Sequence, residues 1–258
     1  AAGLASRSYG TVTSGLPADR ARLRNQGALL KEVRELLTLS RGYGMESVRQ
    51  RAMSAAETVS ASLSEVVDDS TLELVVDLRL AFGRLLAALG ANERAEKEHL
   101  DTAELSLSQG WTETACAALA LASHAAQARG DRASSGRAWH QCRDAMESWP
   151  MNRPGERCGI LVDAVGDPLV AVQVLSALAE VLVDGVEEDH SRAPIIREII
   201  SRASEQASRC VSPPQGAVES LARVEERIAP YGRGRGGRRR PGSTTTITTD
   251  GQAAAGGR

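Results

Sequence analysis

The stretch FGRLLAALGANERAEKEH, from Phe82 to His99, is the most informative part of the sequence. It is typical of one helix that ends, a tight turn, and a second helix that begins. Gly90 follows an apolar run and predicts the left-handed residue that ends a helix, because glycine adopts that backbone conformation without a Cβ clash. Gly83 and Ala95 lie on either side of the turn. These small residues predict that the two helices pack closely.

The same spacing recurs further along the chain. Copies begin at Gly83, Ser123 and Gly159, which are 40 and 36 residues apart. This interval is close to the repeat length of proteins built from helix pairs. We therefore expect the copies to place corresponding residues in equivalent surroundings. These residues are Gly83, Leu86, Gly90, Ala95 and His99 in the first copy, Ser123, Ala126, Gly130, Ser135 and Trp139 in the second, and Gly159, Val162, Gly166, Ala171 and Leu175 in the third.

Helical signals extend over most of the chain. Apolar residues recur at helical spacing, and Ser70, Asn92 and Asp167 are candidate N-caps. No alternating run typical of a β-strand occurs. The predicted fold class is therefore all-α. Predicted helices cover about 46–66, 111–129, 131–148, 155–165 and 217–229, and further helices start near 21, 71, 92, 168 and 194.

The two ends of the chain differ from the helical part. Residues 1–20 are rich in Gly, Ser and Ala and show no periodicity, and residues 230–258 are rich in Arg and Gly. Neither segment can bury enough apolar area to fold by itself, so both are expected to be disordered. The helical domain is expected over 21–229.

Charge, hydropathy and cysteine content predict a soluble protein. The longest run without Asp, Glu, Lys or Arg, residues 114–128, is shorter than the roughly 20 apolar residues that a membrane span requires. The four cysteines are far apart in a chain without a secretory signal, which indicates free thiols in a reducing compartment. We expect no membrane partner and a cytoplasmic location, or a nuclear one in a eukaryote.

The repeated pattern resembles the tetratricopeptide repeat, which contains L-G-x2-Y followed by A-x3-F. The matching segments are Phe82–Leu86 with Ala95–His99, and Cys158–Val162 with Ala171–Leu175. The Trp, the Tyr and the closing Pro of that family are absent, and the spacing exceeds its usual length. The resemblance covers Asp77 to about Val183. The alternative is an Ala-rich helical bundle, which also places small residues at helix contacts.

The resemblance implies an α-solenoid of antiparallel helix pairs whose first helices line a concave groove for a partner peptide or helix. Arg84, His124 and Arg157 are assigned to the groove face of successive units and would pair with carboxylate groups of a ligand. The alternative is a solvated charged face. The positions that the resemblance places on the groove are Asp77, Leu80, Arg84, His124, Gln127, Arg153, Arg157 and Asp163. The alanines expected to leave room for a partner helix are Ala87, Ala88, Ala117 and Ala120.

Signatures of catalysis are missing from the sequence. His140, Cys142 and Cys158 match no zinc spacing, and no P-loop, G-x-S-x-G or H-E-x-x-H motif occurs. We therefore expect no enzymatic activity, no cofactor and no metal.

The tail contains a cluster of arginines with one neighbouring aromatic residue, Tyr231. It resembles the Arg-Gly segments that bind RNA backbones, and also a basic nuclear-localisation cluster. A passive tail is the alternative. The residues expected to contact nucleic acid are Arg233, Arg235, Arg238, Arg239 and Arg240.

Three functions follow as hypotheses. The first is a non-catalytic scaffold or adaptor that binds a partner protein or peptide. The second is the sensor or regulatory solenoid of a bacterial signalling ATPase or transcription regulator. The third is an RNA-associated protein that acts through its tail.

Overall fold

A computed structural model describes residues 17–63 and 71–232. Within these ranges the chain forms ten α-helices and no β-strand, which confirms the all-α prediction. Short 3₁₀ turns cover Met45–Val48 and Ala229–Gly232. The helices are α1 (Pro17–Tyr43), α2 (Arg49–Leu63), α3 (Leu72–Ala88), α4 (Asn92–Ser108), α5 (Thr112–Ala128), α6 (Arg132–Glu147), α7 (Pro154–Val165), α8 (Pro168–Val183), α9 (Arg192–Ala207) and α10 (Gln215–Ile228).

Some predictions fall outside the described residues or need adjustment. The cap at Ser70 and most of the segment 1–20 lie outside these ranges, although α1 already begins at Pro17. Proline suits that first turn, where its missing N–H has no helical partner. The predicted cap at Asn92 is wrong, because α4 begins at Asn92 and Ala91 occupies the cap position without a side-chain bond.

The helix ends follow local signals. Gly90, Gly110 and Gly130 all adopt left-handed φ values of 70° to 84°. At Gly90 the N–H donates to the Ala87 carbonyl at 3.0 Å, and the Ala91 N–H donates to the Leu86 carbonyl at 2.9 Å. This pair of bonds is the Schellman motif, and it recurs after α4 and α5. Each of these turns therefore leaves its helix in a similar direction.

Small residues join the helices of the first two copies, as predicted. Gly83 of α3 is buried against the imidazole ring of His99 of α4. In the second copy the Ser123 hydroxyl of α5 donates to the Ser135 carbonyl of α6 at 3.0 Å. The partner of Gly83 is the last marked residue of its copy and that of Ser123 is the fourth, so the two contacts are similar but not equivalent.

The third copy differs from the first two. Gly159 is half-buried, and a Cβ at this position would meet nothing within 4 Å. The turn explains the difference, since the Gly166 N–H makes a single bond to the Val162 carbonyl at 2.8 Å. This simpler left-handed cap replaces the Schellman motif, and α8 begins after only Gly166 and Asp167. The prediction of equivalent surroundings is therefore wrong for this copy.

We expect the same substitution at Gly83 and Gly159 to have opposite effects. Gly159→Ala should raise the free energy of unfolding by about 1 kcal/mol, because alanine is the better helix former and the space is open. Gly83→Ala should lower it by about 1–3 kcal/mol, because the added Cβ would overlap the His99 ring. Urea denaturation of both variants measures the difference. Effects of the same sign and size would contradict the packing described.

The helices contact one another in a regular order. Each odd-numbered helix from α1 to α9 contacts the next odd-numbered helix, and α6, α8 and α10 are in contact in turn. The contacts of α8 with α9 are much more extensive than those of α8 with α7. The third copy therefore turns its second helix toward the C-terminal part of the domain.

Helix α5 lies at the centre of the domain. All its residues from Thr112 to Ser123 are buried, and it contacts α3, α4, α6, α7 and α8. A helix that is apolar on every side is expected to be enclosed. The expected room for a partner is therefore absent beside Ala117, which is 0% exposed, whereas Ala120, which is 2% exposed, borders a cleft. Ala87 is half-buried and Ala88 is exposed.

Candidate functional site

Arg157, one of the predicted groove residues, is engaged within the domain. Its Nε donates to the Asn152 carbonyl at 2.9 Å and to the Asn152 Oδ1 at 3.0 Å. Its Nη1 forms an ion pair with Glu113 of α5, whose side chain is only 8% exposed. This arginine therefore neutralises a buried carboxylate at the start of α5.

Arg84 has different surroundings from Arg157. It is half-buried on α3 beside Gly166, and it forms no ion pair with any acid in the part of the chain described. Burial, with smaller contributions from the charges of Arg41 and Arg34, lowers the pKa of its guanidinium to about 10, against an opposing effect of Asp167. Arg84 and Arg157, both predicted to line the groove, therefore differ in their contacts.

The other predicted positions on α3 and α7 are dispersed. Asp77 forms an ion pair with Arg34 of α1 at 3.3 Å. Leu80 is 3% exposed and belongs to the core. Arg153 precedes α7 with a φ of 48° and pairs with Glu156 at 3.4 Å, while Asp163 is exposed. Leu80 is therefore withdrawn from the surface, and Asp77 and Arg153 are each engaged in an ion pair.

His124 and Gln127 do share a concave surface. Both are exposed near the end of α5 and line a cleft of about 540 Å³ between α5, α6, α8 and α10. We call this surface the α5–α10 cleft. Its lining residues are Ala120, Ser123, His124, Gln127, Arg132, Ser135, Gly136, Trp139, Arg143, Gln173, Ser176, Ala177, Glu180, Gly216, Ala217 and Ser220.

Hydrogen bonds between helices hold the walls of the α5–α10 cleft. The Ser176 hydroxyl of α8 donates to the Ala217 carbonyl of α10 at 3.1 Å. Glu180 accepts a hydrogen bond from the Ser220 hydroxyl and pairs with Arg143 of α6 at 3.5 Å. The hydroxyls of Ser123 and Ser135 lie 3.0 Å apart and join α5 to α6 in the remaining wall. The cleft is therefore already formed in the free protein.

The cleft combines an aromatic residue, small residues and polar groups. Trp139 is half-buried in its wall. A Cβ at Gly136 or at Gly216 would meet nothing within 4 Å, so the space above both residues is open. His124 and Gln127 add exposed polar groups. This mixture is typical of sites that orient a ligand through a few polar contacts on an apolar surface.

A smaller cleft of about 390 Å³ lies beside the first and shares Arg143 with it. Its walls include His140, Glu147, Met151 and Arg192. Arg143 therefore separates two adjoining depressions along α6 and α8.

The cysteines have the surroundings of structural thiols. Cys116 of α5 and Cys142 of α6 are fully buried, and the Cys142 thiol donates to the Cys116 carbonyl at 3.4 Å. A hydrogen bond with Cys142 and burial raise the pKa of the Cys116 thiol, and burial raises that of Cys158 to about 12. Thiols with raised pKa values are poor nucleophiles.

The described residues contain neither a cluster of metal ligands nor a membrane-spanning helix. Over 17–63 and 71–232, no three His, Cys, Asp or Glu side chains are grouped as a metal site requires. No helix in the same ranges is long and apolar enough to cross a membrane. The tail arginines 233, 235, 238, 239 and 240 lie outside the described residues.

Comparison with known proteins gives no match: no family model matches the chain, and neither a curated protein nor a solved structure is significantly similar to it.

Several residues of the α5–α10 cleft were missed at the level of sequence. The only polar residues of α8 are Gln173, Ser176 and Glu180, and all three line the cleft. Their spacing of three and four residues places them on one face of an otherwise apolar helix. That polar stripe was the available signal for a solvated surface on α8.

Proposed function

We propose that this chain is a non-catalytic helical-repeat module, similar to tetratricopeptide proteins, that binds a partner peptide in the α5–α10 cleft. The stacking of odd-numbered helices on one another supports a solenoid of helix pairs. The buried free thiols fit a reducing compartment such as the cytoplasm.

The observation that carries the proposal is the preformed cleft around Trp139. Tryptophan and arginine are enriched among the residues that dominate binding energy at interfaces, and Trp139 lies beside Arg132 and Arg143. Arg143 is already paired with Glu180, whereas Arg132 is exposed at the rim. A peptide with an apolar anchor and a nearby acidic side chain matches this arrangement.

The small residues favour a peptide backbone as the ligand. Gly136 and Gly216 allow a chain to approach α6 and α10 closely, because neither presents a side chain. His124, Gln127 and Gln173 can then exchange hydrogen bonds with the amides of the peptide. The backbone amides of a peptide bound in this way would be buried with hydrogen-bonding groups beside them, as stable binding requires.

We expect Gly136→Leu to weaken peptide binding without weakening the fold. Leucine fills open space in the cleft and has a higher helix propensity than glycine. The test selects peptides from a random display library on the intact chain and measures their affinities by calorimetry. Binding should weaken about tenfold or more in Gly136→Leu and in Trp139→Ala.

The matched control is Gly159→Leu. Gly159 is also a helical glycine with open space around it, but it lies on α7 and lines neither cleft. This variant should bind the selected peptides as tightly as the unmodified chain. The proposal is wrong if no peptide is enriched, or if Gly136→Leu and Gly159→Leu bind equally well.

A further inference from the structure

Two arginines converge on Gly166, at the turn between α7 and α8. Arg41, in the last turn of α1, donates from Nη2 to the Gly166 carbonyl. The guanidinium of Arg84 occupies the space that a Cβ at position 166 would fill. Glycine is therefore required here both for its φ of 63° and for the approach of Arg84. Three helices that are distant in sequence bring these groups together.

The charges around this turn do not balance. Arg34 lies seven residues before Arg41 and thus on the same face of α1, and it pairs with Asp77 at 3.3 Å. Asp167 is also close, but its Oδ1 accepts the backbone N–H of Leu169 at 2.8 Å and of Val170 at 3.3 Å. That carboxylate caps α8. The three arginines and two aspartates leave an excess of one positive charge.

Arg84 is a partly buried positive charge beside two other arginines. Water solvates it poorly because it is half-buried, and Arg34 and Arg41 repel its charge. In the described ranges no carboxylate is paired with it. A partly desolvated and unpaired charge is costly unless a counter-ion accompanies it.

We propose that Arg41 and Arg84 bind a phosphate group beside Gly166. Each guanidinium presents a fork of N–H donors, which pairs best with two oxygens of one anion. A phosphate has enough oxygens for both forks, whereas the two oxygens of a carboxylate are satisfied by one. The phosphate is either a free ion or part of a phosphorylated side chain on a partner.

This site is independent of the α5–α10 cleft. Arg34, Arg41, Arg84 and Gly166 are all absent from the walls of that cleft. Failure of peptide binding in the cleft and failure of phosphate binding at Gly166 are therefore separate results.

The test titrates the full chain with inorganic phosphate, O-phosphoserine or acetate at constant ionic strength, and follows the amide signal of Gly166 by NMR. Phosphate and O-phosphoserine should shift this signal in the millimolar range, and acetate should bind at least about tenfold more weakly. Whichever of the first two binds more tightly identifies the source of the phosphate. Binding of acetate as tight as that of phosphate would overturn the assignment.

The variants are Arg84→Met and Arg41→Met, with Arg79→Met as the matched control. Arg79 lies on the same helix as Arg84 and is similarly shielded, but it pairs with Glu98 at 3.1 Å. Phosphate affinity should fall about tenfold or more in Arg84→Met and Arg41→Met, and remain unchanged in Arg79→Met. Equal affinities of Arg84→Met and the unmodified chain would refute the site.

Stability without phosphate provides a second measurement. Arg84→Met should raise the midpoint of thermal unfolding, because it removes an unpaired charge and keeps the apolar stem. Arg79→Met should lower it, since Glu98 loses its partner. Added phosphate should raise the midpoint of the unmodified chain and of Arg79→Met only. A destabilised Arg84→Met that still responds to phosphate would contradict the proposal.

Discussion

Arg157→Met should lower the free energy of unfolding by about 2–3 kcal/mol, one of the two largest effects that we expect from a single change. The substitution keeps most of the apolar stem but leaves the Glu113 carboxylate buried without its partner. Removing one member of a buried ion pair typically costs about 3–5 kcal/mol, and the partial exposure of Arg157 reduces that figure. Urea denaturation at neutral pH measures the loss.

Two controls separate the ion pair from other effects of the change. Arg153→Met alters an arginine that is 78% exposed, four residues earlier, and should change stability by less than about 0.5 kcal/mol. Adding Glu113→Gln to Arg157→Met should restore most of the stability, because no buried charge remains unpaired. If Arg157→Met is no less stable than Arg153→Met, the pair with Glu113 is unimportant and Arg157 is available to a partner, as the sequence suggested.

Acid should destabilise the domain through His99. Burial, with a smaller contribution from the charge of Arg84, lowers the pKa of this imidazole to about 3. The unfolded chain binds the proton at about pH 6.5, whereas the folded chain does not. The free energy of unfolding that neutral His99 contributes is therefore fully present above pH 6.5 and is lost as the pH falls toward 3. The loss is about 1.4 kcal/mol per pH unit, or about 3 kcal/mol between pH 7 and pH 4.

His99→Leu isolates this contribution. Leucine occupies the corresponding position in the third copy, at Leu175. The substitution also removes the Nδ1 atom of His99, which is buried and has no hydrogen-bond partner among the described residues. Denaturation at several pH values should show the variant losing about 3 kcal/mol less than the unmodified chain between pH 7 and pH 4. Parallel losses in the two proteins would show that His99 does not carry the acid sensitivity.

Local signals in the sequence predicted most helix boundaries. Gly90, Gly130 and Gly166 all take the left-handed conformation expected of them, and the Asp167 carboxylate caps α8 as predicted. Such features depend on a few neighbouring residues, because a cap or a left-handed turn is satisfied within one helical turn. The all-α fold class follows from the same local patterns.

Features that depend on distant residues were not predictable in this way. The partners Glu113 and Arg157 lie 44 residues apart, and nothing in either local pattern marks them as a pair. The spacing around Gly166 matches that around Gly90, yet the two turns form different hydrogen bonds and send the next helix in different directions. The cleft that we propose as the binding surface differs from the predicted groove for this reason, since α8 and α10 line it with His124 and Gln127.

The enclosed position of α5 limits how far the domain behaves as a string of separable units. In a linear array each unit contacts only its neighbours, and the interfaces between neighbouring units contribute part of the stability. Here α5 contacts five helices on both sides of it along the chain. Loss of any of these helices would expose its Ala-rich surface to water. The architecture therefore couples the helices on the two sides of α5 into one cooperative transition.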